Sequence, residues 1–198
     1  MPRTVDPIRH HARRIHIIDA ALTCFATTGY DGTTTAEICR RAGIGSGTFF
    51  HYFPTKAAVL VAIIDLGAEQ TGAWFTAQHG REDPLSVIDD YLEHTTSEMG
   101  DARLAGFVRA VGAVMSQAEV VAALERDEDA LRLGLLPWIT AAQENALVRT
   151  DLSPDRLTEW VMLLLNGFLD RLATTTGFTA ENEATMLHDT AHRLLRPQ

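Results

Sequence analysis

The stretch GIGSGTFFHYFPTK, residues 43–56, shows most clearly how this sequence folds. Four aromatic rings stand within the five positions from Phe49 to Phe53, and Pro54 then prevents a helix from continuing smoothly. Apolar rings alternate with polar side chains over about two helical turns, so one face points inward and the other offers hydrogen-bonding groups. The stretch therefore predicts a short helix, from about Ser46 to Tyr52, with a polar outer face.

The segment before this stretch predicts a second short helix. TTAE, residues 34–37, is a capping box in which Thr34 accepts from the amide three residues on while Glu37 reaches back, and Gly43 ends the helix. Two short helices joined by a tight, glycine-containing turn form a helix-turn-helix, whose first helix crosses the DNA backbone and whose second enters the major groove. A helical hairpin with core rings and solvated polar groups is the alternative interpretation.

The rest of the chain also has helical periodicity and helix-capping residues, and no segment predicts a strand. We predict an all-α fold of about nine helices. Their expected limits are Asp6–Pro7 to Gly29, Thr34 to Gly43, Ser46 to Tyr52, Thr55 to His79, Asp83–Pro84 to Gly100, Asp101 to Ser116, Gln117 to Asn145, a start at Ser153–Pro154, and Thr179 to Leu195.

The net charge of −9 is divided unevenly along the 198 residues. Residues 1–56 carry seven Lys or Arg against four acids, a charge of +3, which leaves −12 for residues 57–198. A basic segment within an acidic chain indicates nucleic-acid interaction of the basic part. No apolar run approaches the roughly 20 residues of a membrane span, and the N-terminus lacks the apolar core of a signal peptide, so we expect a cytoplasmic protein with no membrane partner.

No pattern in the sequence indicates an enzyme, a cofactor or a metal. A phosphate-binding glycine loop, HExxH zinc spacing and a nucleophile elbow are all missing from the sequence. Cys24 and Cys39 lack CxxC spacing and are expected to be small buried hydrophobes. His10, His11 and His16 accompany arginines and are interpreted as part of a cationic arm rather than a metal site.

Residues 25–60 resemble the N-terminal domain of TetR/AcrR-type transcriptional regulators. The remainder of the chain agrees with that family in its nine-helix layout and in ALVRTDLSPDRLTEWVMLLLNGFLDR, residues 146–171, which resembles the usual approach to the dimerisation helices. The matching positions of the N-terminal pattern are Phe25, Gly29, Tyr30, Thr33, Thr34, Ile38, Ala42, Gly43, Gly47, Tyr52, Phe53 and Lys56.

The resemblance implies a homodimer that presents two recognition helices to a pseudo-palindromic DNA operator, represses transcription and is released by a small-molecule effector. It implies a helix-turn-helix DNA-binding domain over residues 1–54 and a helical effector-binding and dimerisation domain over residues 55–198. Phe53 is expected in the core, and Phe49 either touches a thymine methyl or packs inward. The residues that the resemblance implies to face DNA are Thr35, Gly45, Ser46, Gly47, Thr48, His51, Tyr52 and Lys56.

Two positions depart from the family pattern. Ser46 stands where Lys or Arg is usual and Phe50 where Tyr is usual, which removes phosphate contacts and predicts weaker nonspecific binding with a lower salt dependence. Arginines at positions 13, 14, 40 and 41 either compensate by reaching the DNA backbone or form a solvated helix face.

The C-terminal half is expected to bind an effector and a second copy of the chain. LTEWVMLLLNGFLDRLA, residues 157–173, is apolar on nearly every side, so we expect its own core and a partner subunit to cover it. The predicted dimer interface comprises Trp160, Leu164, Phe168, Leu172, Leu187 and Leu194. The predicted effector pocket, each member of which is alternatively ordinary core, comprises Trp74, Phe75, Phe107, Met115, Trp138, Met162, Asn166 and Phe168.

Two other classes of function stay open at this point. One is a helical ligand-binding or scaffolding protein that no longer reads DNA, and the other is a helical enzyme working in the C-terminal cavity. Specific, salt-sensitive DNA binding separates the regulator from both.

Overall fold

The computed structural model describes residues 6–197 of the chain. Within that range it contains nine helices and no strand, which confirms the all-α prediction. The helices are α1 (Pro7–Gly32), α2 (Thr35–Ala42), α3 (Ser46–Tyr52), α4 (Lys56–Ala77), α5 (Pro84–Glu98), α6 (Leu104–Gly112), α7 (Ala118–Glu144), α8 (Pro154–Thr174) and α9 (Ala180–Leu195).

Side-chain caps start most of these helices, as the sequence predicts. The Thr34 hydroxyl accepts from the Glu37 amide at 3.1 Å, and the Thr55 hydroxyl accepts from the amide of Ala58 at 3.0 Å. The carboxylate of Glu37 turns toward Arg40 at 3.9 Å, so the structure shows one of the two bonds of the predicted capping box. Each satisfied amide stabilises its helix by about 1 kcal/mol.

The long first helix changes direction at Gly29. This residue has φ 70° and ψ 178°, a backbone conformation that residues with a side chain rarely adopt. The predicted end of the first helix therefore coincides with a real break, and Tyr30–Gly32 form a separate last turn. The Tyr30 ring stacks on Phe25, with centroids 5.7 Å apart, and this contact fixes the approach to α2.

The apolar residues form two clusters that α4 connects. The first cluster joins α1, α2 and α3 to the first half of α4, to α6 and to the start of α7, and Phe25 and Leu60 lie at its centre. The second joins the end of α4, including Phe75, to α5, α7, α8 and α9. Cys24 and Cys39 are buried, unbonded thiols of the first cluster, and burial raises the pKa of Cys24.

Helix α6 lies very close to α1. A Cβ atom added at Gly106 would overlap the backbone of Ala26, so only glycine allows this approach. At the edge of the contact the Arg103 guanidinium donates to Asp19 at 2.7 Å and to Asp101 at 2.8 Å. The hydrogen bonds from Arg103 lower the pKa of Asp101. The C-terminal half is thus attached to the N-terminal helices through α6 as well as α4.

One helix in the described part of the chain, α4, has the length and apolar composition of a membrane span. Its buried side chains, Val59, Leu60, Ala62, Ile63, Ile64 and Phe75, pack into the two clusters, and core helices of soluble proteins have the same composition.

Candidate nucleic-acid interface

A three-residue turn joins α2 to α3. Gly43 ends α2 in the left-handed conformation, with φ 61° and ψ 38°, and the amide of Ile44 donates to Cys39 at 3.0 Å. Gly45 is extended and precedes the first residue of α3. The glycine-containing turn predicted from the sequence is therefore present, and it fixes the direction in which α3 leaves α2.

Helix α3 has one buried side and one open side. Phe49 is fully buried, whereas Gly47, Thr48, Phe50 and His51 are exposed. Of the two roles expected for Phe49, packing inward is the one the structure shows. Phe50 keeps 52% of its surface exposed and meets Phe49 edge to face, with ring centroids 5.4 Å apart. The residues predicted to face DNA did not include Phe50, and its exposure follows from how α3 packs on the core.

The glycines of this site leave open space. A Cβ atom added at Gly45 or Gly47 would meet nothing within 4 Å, so folding does not require either residue for close packing. Ser46 between them is also exposed, and Thr35 is half-buried at the start of α2. The open backbone gives a nucleic-acid chain room to approach the start of α3.

The first turns of α1 lie against the end of α3. The His10 ring packs on Tyr52 with centroids 4.6 Å apart, and its edge approaches His51 at 6.1 Å. The Arg14 guanidinium lies over the ring of Phe53, which is buried, at 5.6 Å. His10 is a second residue of this surface that the sequence did not reveal, because its position depends on how α1 crosses α3.

Lys56 is held by the end of α1. Its ammonium donates to the carbonyl oxygens of Tyr30 at 2.6 Å and Thr33 at 2.9 Å, and it lies 4.2 Å from the centroid of the Tyr30 ring. An ammonium group has three donors, and these two carbonyl oxygens accept from two of them. Through these two hydrogen bonds, Lys56 joins the start of α4 to the turn before α2.

The arginines near α2 and α3 differ in their surroundings. Arg40 pairs with Glu37, and Arg14 lies over Phe53, while the side chains of Arg13 and Arg41 are exposed. His16 is hydrogen-bonded to the carbonyl of Ala42 at 2.9 Å. His10, His11 and His16 all lie within helix α1, and two of them contact the helix-turn-helix, so they do not form the separate arm expected from the sequence.

The residues predicted for the effector pocket lie in several places. Phe75 and Trp138 line a groove of about 500 Å³ between α4 and α7, in which the Phe75 ring occupies the space that Gly134 leaves. Met162 and Asn166 line another between α7 and α8, and Phe168 a third between α8 and α9. The other three predicted residues line none of these grooves. Trp74 packs on Tyr91, Phe107 belongs to the first apolar cluster, and Met115 is 56% exposed.

A carboxylate lies between α4 and α7, next to the aromatic rings of the second cluster. Oδ1 of Asp127 is 3.6 Å from the position of a Cβ added at Gly67. Burial, with smaller contributions from Glu128 and Asp65, raises the pKa of Asp127 to about 6. Burial likewise raises the pKa of the nearby Tyr91 to about 12. Asp127 lies in an acidic run, residues 125–129, and its inward position follows from the packing of α7 on α4.

Helices α8 and α9 expose an apolar surface. Trp160 and Leu163 on α8 and Met186 on α9 are 47%, 55% and 60% exposed. Among the other residues predicted for the dimer interface, Phe168 and Leu187 are buried, and Leu164, Leu172 and Leu194 are partly buried. Asn166 and Asp170 are exposed, so neither is a buried polar group that needs a partner within one chain.

The fold and this surface define a class: a helix-turn-helix protein with a helical C-terminal half. Residues 17–63 match the family model of bacterial regulatory proteins, tetR family. The transcriptional repressor Rv1474c of Mycobacterium tuberculosis is 29% identical over 177 residues, which cover 82% of this chain and 83% of that protein. The N-terminal segment of the chain is thus similar to the DNA-binding domain of tetR-family regulators, and most of the chain is similar to a transcriptional repressor.

Solved structures show the same fold at low sequence identity. A TetR transcription regulator from Haloarcula marismortui has a TM-score of 0.80 at 16% identity, over 93% of this chain and 97% of that one. FadR from Bacillus subtilis, solved in complex with stearoyl-CoA, has a TM-score of 0.75 at 15% identity, over 89% and 96%.

Proposed function

We propose that this protein is a homodimeric TetR-family repressor that binds a pseudo-palindromic DNA operator and is released by a small-molecule effector. The observation that carries the proposal is the open side of α3. Four consecutive turn and helix positions, Gly45 to Thr48, are exposed and free of bulky side chains, while the buried Phe49 holds the helix on the core.

The DNA-facing residues have separate roles in this proposal. Thr48 and His51 face base edges from the exposed side of α3, and Tyr52 donates its hydroxyl to a phosphate. Gly45, Ser46 and Gly47 let the backbone approach the sugar-phosphate chain, and Thr35 contacts it from α2. Lys56 holds α4 to the end of α1 and adds positive charge near the phosphate chain.

The proposed DNA-binding domain covers residues 1–54, and the proposed effector-binding and dimerisation domain covers residues 55–198. Residues 1–5 and 198 of these ranges lie outside the described residues. The first apolar cluster crosses the proposed boundary, since α6 and the start of α7 pack on α1. The DNA-binding helices therefore depend on the C-terminal half for part of their core.

The exposed apolar surface of α8 and α9 supports the dimer. Trp160, Leu163 and Met186 together expose more apolar surface than isolated surface residues do, and such patches mark association sites. A second copy related by a two-fold axis would bury the same patch on both subunits. It would also set the spacing of the two α3 helices on the operator.

The groove between α4 and α7 supports the effector. It is lined mainly by apolar and aromatic groups, including Phe75 and Trp138, and has the size of small-molecule sites. FadR shows that the same fold accepts a ligand with a long apolar chain. An effector here would release DNA by binding the released conformation more tightly, with a coupling of about 1–3 kcal/mol.

We further propose that the protein acts in the cytoplasm and catalyses no reaction, which its similarity to transcriptional regulators supports.

The test is selection of DNA from a random pool by the purified protein, followed by titration of the selected sequence at several salt concentrations. We expect an inverted repeat and an affinity that falls with salt in proportion to the phosphates contacted. The selected DNA then serves as the probe for compounds that release it. An unenriched pool from folded protein would favour a ligand-binding or scaffolding protein, and turnover of a bound compound would favour an enzyme.

A further inference from the structure

We infer that Phe50 reads sequence in the operator by packing its ring against the methyl group of a thymine. This inference rests on the proposed function and assigns one specificity-determining residue within it. It starts from the position of Phe50, an aromatic side chain with 52% of its surface open on a helix whose neighbouring ring, Phe49, is fully buried. Covering the exposed half of this ring with an apolar group of a partner is favourable.

The position of Phe50 on α3 points the ring outward with the DNA-facing groups. Gly47 lies one turn before it and His51 directly after it, and both are exposed. Because Gly47 has no side chain and the space around its Cβ position is empty, nothing on that turn separates the ring from an approaching duplex. Phe50 therefore belongs to the same surface as the residues assigned to base edges.

The ring is also held in place before any DNA binds. Its contact with Phe49 is edge to face, with an interplanar angle of 88° and centroids 5.4 Å apart, a favourable arrangement for two aromatic rings. Phe49 in turn lies 6.0 Å from the buried Phe53. A fixed ring loses little conformational entropy on binding, which favours specific recognition of a base over a nonspecific apolar contact.

The chemistry selects one feature of the major groove. A phenylalanine ring has no hydrogen-bond donor or acceptor, so it cannot distinguish the polar edges of bases. The C5-methyl group of thymine is the apolar feature that the major groove presents, and contact with phenylalanine is one way proteins read it. The absence of a hydroxyl at this position thus removes a phosphate donor and leaves an apolar reader.

The test is a cycle that combines Phe50→Ala with operators in which thymines are replaced by deoxyuridine, which removes only the methyl group. Wild-type protein should bind the substituted operator about fourfold more weakly per half-site, the effect of leaving one methyl group uncovered. Phe50→Ala should bind the normal operator much more weakly than wild type and be insensitive to the same substitution. Replacing thymines one at a time then locates the contacted base.

Phe50→Leu is the matched variant, because it keeps an apolar side chain and should retain part of the sensitivity to the methyl group. Circular dichroism checks that each variant is folded. If Phe50→Ala lowers the affinity, relative to wild type, by the same factor on the thymine operator as on the deoxyuridine operator, the ring and the methyl group are not coupled. That result would overturn the role of Phe50 while leaving the repressor proposal intact. Wild-type protein that shows no preference for any sequence would overturn both.

Discussion

Replacing Asp127 with asparagine should make the protein more stable, and more so at high pH than at low pH. Asp127 is partly buried between α4 and α7, and burial raises its pKa to about 6. The unfolded chain holds the same carboxyl at a pKa of about 3.9. The folded state binds the proton of Asp127 more tightly than the unfolded state does. The contribution of Asp127 to the free energy of unfolding is therefore most favourable below about pH 4, falls as the pH rises to about 6, and is constant above that.

The size of this effect follows from the shift. Two pKa units correspond to about 3 kcal/mol of unfolding free energy at pH 8, and only about half of that is lost by pH 5. Since water reaches part of the carboxylate, screening reduces the cost, and we expect about 1–2 kcal/mol at pH 8. Asparagine has nearly the same shape and carries no charge, so it removes the penalty without leaving a cavity.

The assay is urea unfolding of wild type and Asp127→Asn at pH 5 and pH 8, at one protein concentration so that association contributes equally. Glu125→Gln, an exposed change on the same helix, is the matched control and should have little effect at either pH. A variant that gains the same stability at both pH values, or gains none at pH 8, would refute the argument that an ionised buried carboxylate weakens the contact between α4 and α7.

The remaining predictions concern packing, association and DNA binding. Gly106→Ala should destabilise the protein by about 1–3 kcal/mol in thermal or urea unfolding, because its Cβ overlaps α1, whereas Gly112→Ala on the same helix meets open space and should be neutral or stabilising. Leu163→Glu should give a monomer in analytical ultracentrifugation, and a dimer of unchanged affinity would contradict the assignment of the α8 surface. In fluorescence anisotropy, Tyr52→Phe should weaken binding to all DNA sequences and remain dimeric, whereas Thr48→Ala should mainly change preference at one base position. Equal effects of both variants on operator and random DNA would show these roles to be wrong.

The helices could be predicted in detail because the residues that begin and end them act locally. Thr34, Thr55 and Gly43 bond to amides and carbonyls only three or four residues away, so the sequence reveals the helix ends without knowledge of the tertiary structure. On α3 the spacing predicted a buried and an open side but did not decide which of the adjacent rings Phe49 and Phe50 faces the core. Gly29 shows the limit of this reasoning, since a turn continues beyond the break that it introduces.

Contacts between distant segments could not be predicted in this way. The packing of His10 on Tyr52 depends on the angle at which α1 crosses α3, and the bonds of Lys56 depend on where α1 ends relative to α4. The eight residues expected to line one pocket are apolar or amphipathic groups on several helices. Their chemistry does not distinguish a groove wall from a core position such as that of Phe107.

Two side-chain attachments of α1 connect the C-terminal half of the chain to the helix that supports α3. Lys56 joins the start of α4 to the end of α1, and Arg103 joins α6 to Asp19 in the middle of α1. The N-terminal turns of the same helix carry His10, whose ring packs on α3. A shift of α6 that moves α1 therefore also moves the support of Tyr52, in addition to any tilt of α4. The close approach at Gly106 makes this contact intolerant of small displacements, because tightly packed backbones respond by moving together rather than by deforming.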